Sequence, residues 1–152
     1  MLKHTLDSAL EQFSKISMSI DPDKSELIHF TWKQNMPSPP LSFTHNHQTI
    51  TLTPPSSLCW LGFYLDRKLS FSKHVKIMAK CGNSVVHGLS CLGNSLHGMN
   101  QYHLWLLYKT CVIPVLTYGC QLWFNPNKPN KCLLLTLQWV QNNAICRITG
   151  SF

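Results

Sequence analysis

Asp21 and Asp23 flank Pro22 and form the tightest carboxylate pair in the chain. Two-metal nucleotidyl chemistry needs such pairs, because Mg²⁺ takes hard oxygen ligands. In a turn built on proline, however, both carboxylates are expected to stay solvated and feed the chain into the next element. Cysteine and histidine offer a second kind of chemistry. His45-x-His47 and the pair His87/Cys91 have ligand-like spacings, but no C-x₂-C pair accompanies them, so no metal site is expected. Nothing acidic follows Asp66, so no imidazole beyond it has a carboxylate to orient it for a Cys-His hydrolase. No P-loop, dinucleotide-binding glycine pattern or nucleophile elbow occurs. An autonomous enzyme is the least favoured class on these grounds.

The cations are better organised. Lys73, Lys76 and Lys80 fall within roughly 60° of arc at helical spacing, nearly opposite an apolar stripe through Met78, Cys81, Val85, Leu89, Leu92 and Leu96. Arg67 and Lys68 stand just ahead of them. Such a ridge suits phosphate contact without base readout, and it equally suits the solvated face of an amphipathic helix. The charge balance leans toward the first. Residues 1–66 hold four lysines and all six carboxylates, a net of −2, whereas residues 67–152 hold nine Lys/Arg and no acid, a net of +9. A long basic stretch without acid favours polyanions, nucleic acid foremost.

The elements that must position these residues can be read from periodicity. Residues 2–17 read as an amphipathic helix with Leu2, Leu6, Ala9, Phe13 and Ile16 on one face. Ser25–Trp32, Gln48–Thr53 and Ser57–Leu65 read as strands, with an exposed proline-rich loop at 33–47. After Asp66 the period becomes helical, with Gly88 and Gly93 as weak points. Residues 101–124 are apolar nearly all round, which implies burial on several sides. A membrane span there is disfavoured by Lys109 near its middle, at a cost of about 2.5–3.5 kcal/mol. Asn127-Lys128-Pro129 starts a last helix that ends at Gly150. That helix carries two apolar stripes: Leu133, Leu137, Val140, Ala144 and Ile148 on one side, Leu135, Trp139 and Cys146 on the other. The second stripe is expected to lie bare in the isolated chain, because a helix apolar on both sides is normally sandwiched.

The expected fold class is α+β: an N-terminal helix and a small antiparallel sheet over 1–66, followed by a three- to four-helix bundle over 67–152. The 152 residues, 44% apolar and only 12% charged, suffice for a core while leaving apolar surface for a partner. Seven cysteines with no secretory signal read as reduced thiols of an intracellular protein, nuclear or cytoplasmic and not secreted.

The order of motifs resembles a known family. Asp21-Pro22-Asp23-Lys24-Ser25-Glu26-Leu27-Ile28-His29-Phe30 resembles the helix–loop–strand that follows the catalytic Asp pair in reverse transcriptases of non-LTR (LINE-like) retrotransposons. Trp60-Leu61-Gly62-Phe63-Tyr64-Leu65-Asp66, with Leu69, Phe71 and His74, is similar to the family's primer-grip hairpin entering the thumb. Leu107-Tyr108-Lys109, Pro114 to Gly119 and Trp123 resemble the next helical block, and Val140-Gln141, Ala144, Arg147 and Ile148-Thr149-Gly150 the one after. The resemblance implies a piece of an RNA-directed DNA polymerase that begins after the metal-binding aspartates, so that Mg²⁺ belongs to the full-length family and no cofactor to this fragment. It implies an RNA/DNA primer-template as partner, and with it the missing palm or a downstream domain of the parent polyprotein. The palm remnant would be 1–66 and the thumb-like region 67–152, inactive alone. By the same resemblance Lys24 matches a lysine that assists pyrophosphate departure, and Trp60, Leu61 and Gly62 would support the primer end. Asn142-Asn143 stand where the family often has basic residues, which counts against nucleic-acid contact by the last helix. The alternative is a small helical interaction module with no nucleic-acid role.

Overall fold

Spacing of apolar residues by three and four makes Leu2–Lys15 a helix, α1, whose Leu6 and Ala9 are half-buried on the side facing β1 (Leu41–His45). Ser17, at φ 56°, ends the helix by a left-handed residue, and the Met18 N–H donates back to the Phe13 carbonyl at 2.9 Å. Phe13 and Ile16, at the end of the expected stripe, are exposed. This computed structural model describes residues 2–18, 21–33, 36–45, 48–92 and 98–151. Gly93, Leu96 and His47, named above, lie outside the described residues. The chain falls into two compact units, Met1–Leu69 and Ser70–Phe152.

Among the described residues, the first unit holds two separate antiparallel strand pairs. β1 pairs with β2 (Gln48–Leu52), with Leu41 opposite Leu52 and Phe43 opposite Ile50. Phe43 is buried, while Ser42 Oγ and Thr51 Oγ1 meet at 3.0 Å on the other face, the alternation a half-buried pair requires. β3 (Ser57–Trp60) pairs with β4 (Phe63–Asp66) across a two-residue turn. Three expectations need correcting here. Ser25–Trp32 is not a strand: it is an irregular run tied at Thr31, whose N–H donates to the Arg67 carbonyl at 2.9 Å. The loop expected at 33–47 contains β1, because alternation resumes directly after Pro40, beyond the reach of the prolines. Ser57–Leu65 is not one strand but a hairpin, because Leu61 and Gly62 both take positive φ, 49° and 80°, the pattern of a type I′ turn.

The second unit is helical: α2 (Ser72–Leu92), α3 (Gln101–Leu107), α4 (Ile113–Leu116), α5 (Cys120–Trp123) and α6 (Lys131–Thr149). α3 runs into α4 through one wide turn, Tyr108–Val112, in which the Ile113 N–H reaches back five residues to the Tyr108 carbonyl. Pro114 explains it, since proline has no N–H to give Thr110 and its ring crowds that carbonyl. The wide turn also slows the angular advance per residue, so Leu104, Tyr108, Val112 and Leu116, four apart, all remain on the buried side. Tyr108, Val112 and Leu116 meet Ala79 and Val86 of α2 and Val140 and Ala144 of α6 in a single core. Residues 101–124 are therefore not buried all round: Tyr102, Leu106, Leu122 and Phe124 are exposed.

The buried face of α2 is Val75, Ala79, Gly82 and Val86, turned about one residue from the expected stripe, with Cys81 and Leu92 exposed and Met78, Val85 and Leu89 at its margin. Small residues won because they let other helices come close. A Cβ built on Gly82 would lie 2.5 Å from Leu116 Cδ2 and 3.2 Å from its Cγ. Gly88, by contrast, interrupts nothing, and α2 runs through it.

α6 begins at Lys131, two residues after Pro129, because Asn125 folds the intervening residues into a turn by accepting the Asn127 N–H at 2.9 Å. Gly150, at φ 71°, closes it, with its N–H on the Cys146 carbonyl. Leu133, Val140 and Ala144 are buried with Leu137 and Ile148 packed beside the core, while Leu135 and Trp139 are 63% and 62% exposed. The bare second stripe is as expected. Among the described residues, no helix is long and apolar enough to cross a membrane.

The two glycines of α2 give opposite predictions. Gly88→Ala, where the new Cβ meets nothing within 4 Å, should stabilise the chain by about 0.5–1 kcal/mol through helix propensity. Gly82→Ala should lose that gain and more to overpacking, which costs about 1–3 kcal/mol. Urea unfolding of both variants decides; equal effects would mean that Gly82 sets no close approach.

Candidate nucleic-acid interface

In the first unit the candidate residues divide by how far the fold has already engaged them. Trp60 and Leu61 form the tip of the β3–β4 hairpin and are 61% and 70% exposed. Leu61 holds a left-handed backbone, which costs an L-residue on the order of 1–2 kcal/mol, and does so while presenting its side chain outward. With Gly62 it makes a stiff, apolar projection. Arg67 is committed inward: it is half-buried, and Nη2 donates to the Met36 carbonyl at 2.9 Å while its own carbonyl takes the Thr31 N–H. Arg67 thus ties down Thr31 through its carbonyl and Met36 through its guanidinium, instead of facing a phosphate. Lys68 is exposed.

Lys24 sits on the short turn Pro22–Lys24 with Nζ 3.4 Å from Asp21 Oδ2. The other oxygen of Asp21 accepts the Asp23 N–H at 3.1 Å, and the Asp21 carbonyl accepts the Ser25 hydroxyl at 3.0 Å. Asp21 therefore caps its own turn. Its carboxylate is shared between a backbone donor and a lysine, a poor fit to a Mg²⁺ site, and no group of three or more His, Cys, Asp or Glu among the described residues could hold a metal ion.

In the second unit Lys73, Lys76 and Lys80 are exposed along the side of α2 away from Val75, Ala79, Gly82 and Val86. The arc expected from their spacing holds, even though the core face is turned from its expected place. The unit contains no Asp or Glu to compete for them. What holds α2 in place is a joint that no spacing rule could reveal. His74 is fully buried, with Nε2 3.1 Å from the Tyr118 carbonyl and its ring tilted 46° against the Tyr118 ring. That geometry requires Nε2 to carry the proton and donate. Trp123 Nε1 reaches the same carbonyl at 3.5 Å. Gly119, at φ 66°, turns the chain directly after it. His74 and Tyr118 are 44 residues apart, so only their shared membership of the motif series linked them beforehand. A second polar tie joins α2 to α6: Asn143 Nδ2 donates to Asn83 Oδ1 at 2.9 Å, and Arg147 Nε donates to Asn143 Oδ1 at 3.3 Å. Asn143, which departs from the basic residues expected there, serves packing. Burial pushes the Tyr108 phenol up, so this core hydroxyl stays neutral.

No family model matches the chain, and no solved structure matches it. Two curated relatives do. One is a probable RNA-directed DNA polymerase from transposon X-element of Drosophila melanogaster, 28% identical over 134 residues and 88% of this chain. The other is a probable RNA-directed DNA polymerase from transposon BS of the same organism, 29% identical over 133 residues and 87% of this chain. The chain spans only 14% of the length of each.

The Asp21–Asp23 turn yields a direct check. Asp21→Asn with Asp23→Asn should change stability by no more than about 0.5 kcal/mol, as for exposed surface positions. Millimolar Mg²⁺ should leave the melting temperature of both proteins unmoved. A Mg²⁺-dependent rise in the parent that the double variant lacks would restore the pair as a metal site.

Proposed function

We propose that this chain, related to one segment of a transposon RNA-directed DNA polymerase, holds the primer-template and leaves catalysis to carboxylates located elsewhere in such a polymerase. The observation that carries this is the lysine ridge Lys73, Lys76 and Lys80, exposed on a helix whose other side is locked into the core, in a unit of seven Lys/Arg and no acid. Fixed cations on a rigid helix suit phosphates, whose spacing does not depend on sequence. The Trp60-Leu61-Gly62 tip adds a stiff apolar contact of the kind that supports the end of a strand, in keeping with a primer-grip hairpin, and the helical unit then corresponds to the thumb. In the first unit Lys68 is exposed, whereas Arg67 and Lys24 act within the fold. The cofactor of this reading is none for the segment, with Mg²⁺ belonging to the catalytic centre.

A second reading, a protein-interaction module, draws on one observation: the bare stripe of Leu135 and Trp139 on α6. The two readings are compatible if that stripe meets another part of a polymerase while the lysine ridge meets nucleic acid.

The ridge is tested by salt. Binding of a primer-template duplex should weaken as salt rises, and replacing Lys73, Lys76 and Lys80 by Gln should flatten the log–log slope by about 0.9 for each lost phosphate contact on B-form DNA. A triple variant with the parent's slope would make the ridge a solvated face and favour the interaction module.

A further inference from the structure

Between the start of α3 and the end of α6 lies an open hollow of about 480 Å³, lined by Asn100, Gln101, Tyr102, Trp105, Ile148 and Thr149. We propose that this hollow is a stacking site for unpaired nucleobases, so that the second unit takes single-stranded nucleic acid as well as the duplex backbone. This rests on the nucleic-acid reading above and adds a ligand class to it.

Two aromatic rings on one helix face make the floor. Tyr102 and Trp105 are three residues apart on α3, hence neighbours on its surface, and are 67% and 40% exposed. Trp105 is held rigid from within, stacked on the buried ring of Tyr108 at 5.3 Å between centroids and 22° between planes. Lys109 Nζ lies over the Trp105 ring, 5.5 Å from its centre, a cation–π pair that brings a positive charge to the aromatic cluster. An aromatic platform with a lysine at its side is the combination that binds single strands, the ring taking the base and the cation the phosphate.

The rim is polar without being charged. Asn100 uses its Oδ1 on the Tyr102 N–H at 3.0 Å, which fixes the side chain and leaves its amide hydrogens for a base edge. Gln101 adds a second amide. The unit has no Asp or Glu, so no acidic side chain in it repels a phosphate passing along the rim. The same one-signed charge opposes a second copy of this chain as occupant, since two such units repel. The volume suits a small planar group and the opening suits a strand passing across.

The test compares two probes of equal phosphate count at one salt concentration: a dodecamer of thymidylate, and the same backbone with abasic residues. The parent chain should prefer the thymidylate strand by about tenfold or more, since base–aromatic stacking is worth about 1–3 kcal/mol per base and 1.4 kcal/mol is tenfold. Tyr102→Ala, at a surface position where folding is not at stake, should erase most of that preference and leave abasic binding and its salt slope unchanged. Tyr102→Phe should restore it. Equal affinity for the two probes with a clear salt slope overturns the stacking site alone. Loss of both probes in Tyr102→Ala overturns it too, by showing a general defect. No binding of either probe by the parent overturns this inference and the nucleic-acid reading together. Self-association that Tyr102→Ala abolishes assigns the hollow to a second copy and likewise overturns the proposal.

Discussion

The helical unit depends on how closely α2 approaches the helices laid across it. At Gly82 there is no side chain, and Leu116 occupies the space where one would stand, with the Val140 side chain in contact beside it. Ala79 extends the same low surface, and Val75 and Val86 close it at either end. A close-packed interior gains dispersion energy only where atoms touch, so this approach lets Val112 and Val140 become wholly buried. His74 then fixes rotation about the α2 axis, because a buried imidazole must keep its hydrogen bond to the Tyr118 carbonyl. With the inner face determined in this way, the outer face follows: Lys73, Lys76 and Lys80 fall on the exposed side of the helix.

The surface has one sign of charge for a related reason. Cations in this unit are either exposed or joined to neutral partners: Lys109 to an indole, Arg147 to the Asn143 amide. The unit itself contributes no Asp or Glu side chain to this surface. Such a surface repels itself and is stabilised when a polyanion supplies the missing charge. Under the proposed function that polyanion is nucleic acid. The apolar stripe of Leu135 and Trp139 belongs to a different kind of contact, because water is a poor neighbour for large exposed side chains.

Much of the α+β fold was legible in the sequence, because it is written in local periodicity. The change from alternation to helical spacing near Asp66, the stop at Gly150 and the two stripes of α6 are all short-range signals. The misreadings share a different cause. β1 was hidden because three prolines made the whole stretch to residue 47 look irregular, whereas proline acts only on itself and its immediate neighbours. The turn at Leu61 was hidden because leucine rarely takes positive φ, so only Gly62 offered a hint. The inner face of α2 was misplaced because large apolar residues were weighed above Ala79 and Gly82, where absence of bulk is the signal. At the candidate site, the lysine ridge was readable from spacing alone. The inward use of Arg67 was not, since its partner is a backbone carbonyl 31 residues away and carbonyls have no sequence signature. The aromatic platform at Tyr102 and Trp105 was passed over for the same reason as the rest of that segment: apolar character all round was taken for burial.

In the proposed function, nucleic acid rests on the outer face of α2. Lysine acetylation footprinting, read residue by residue by mass spectrometry with and without a primer-template duplex, tests it on the side chains concerned. The account predicts that Lys73, Lys76 and Lys80 lose most of their reactivity on binding, while Lys3 and Lys15 on the acid-bearing α1 keep theirs. Uniform protection of every lysine, or unchanged reactivity at Lys73, Lys76 and Lys80 in a complex that demonstrably forms, would contradict it.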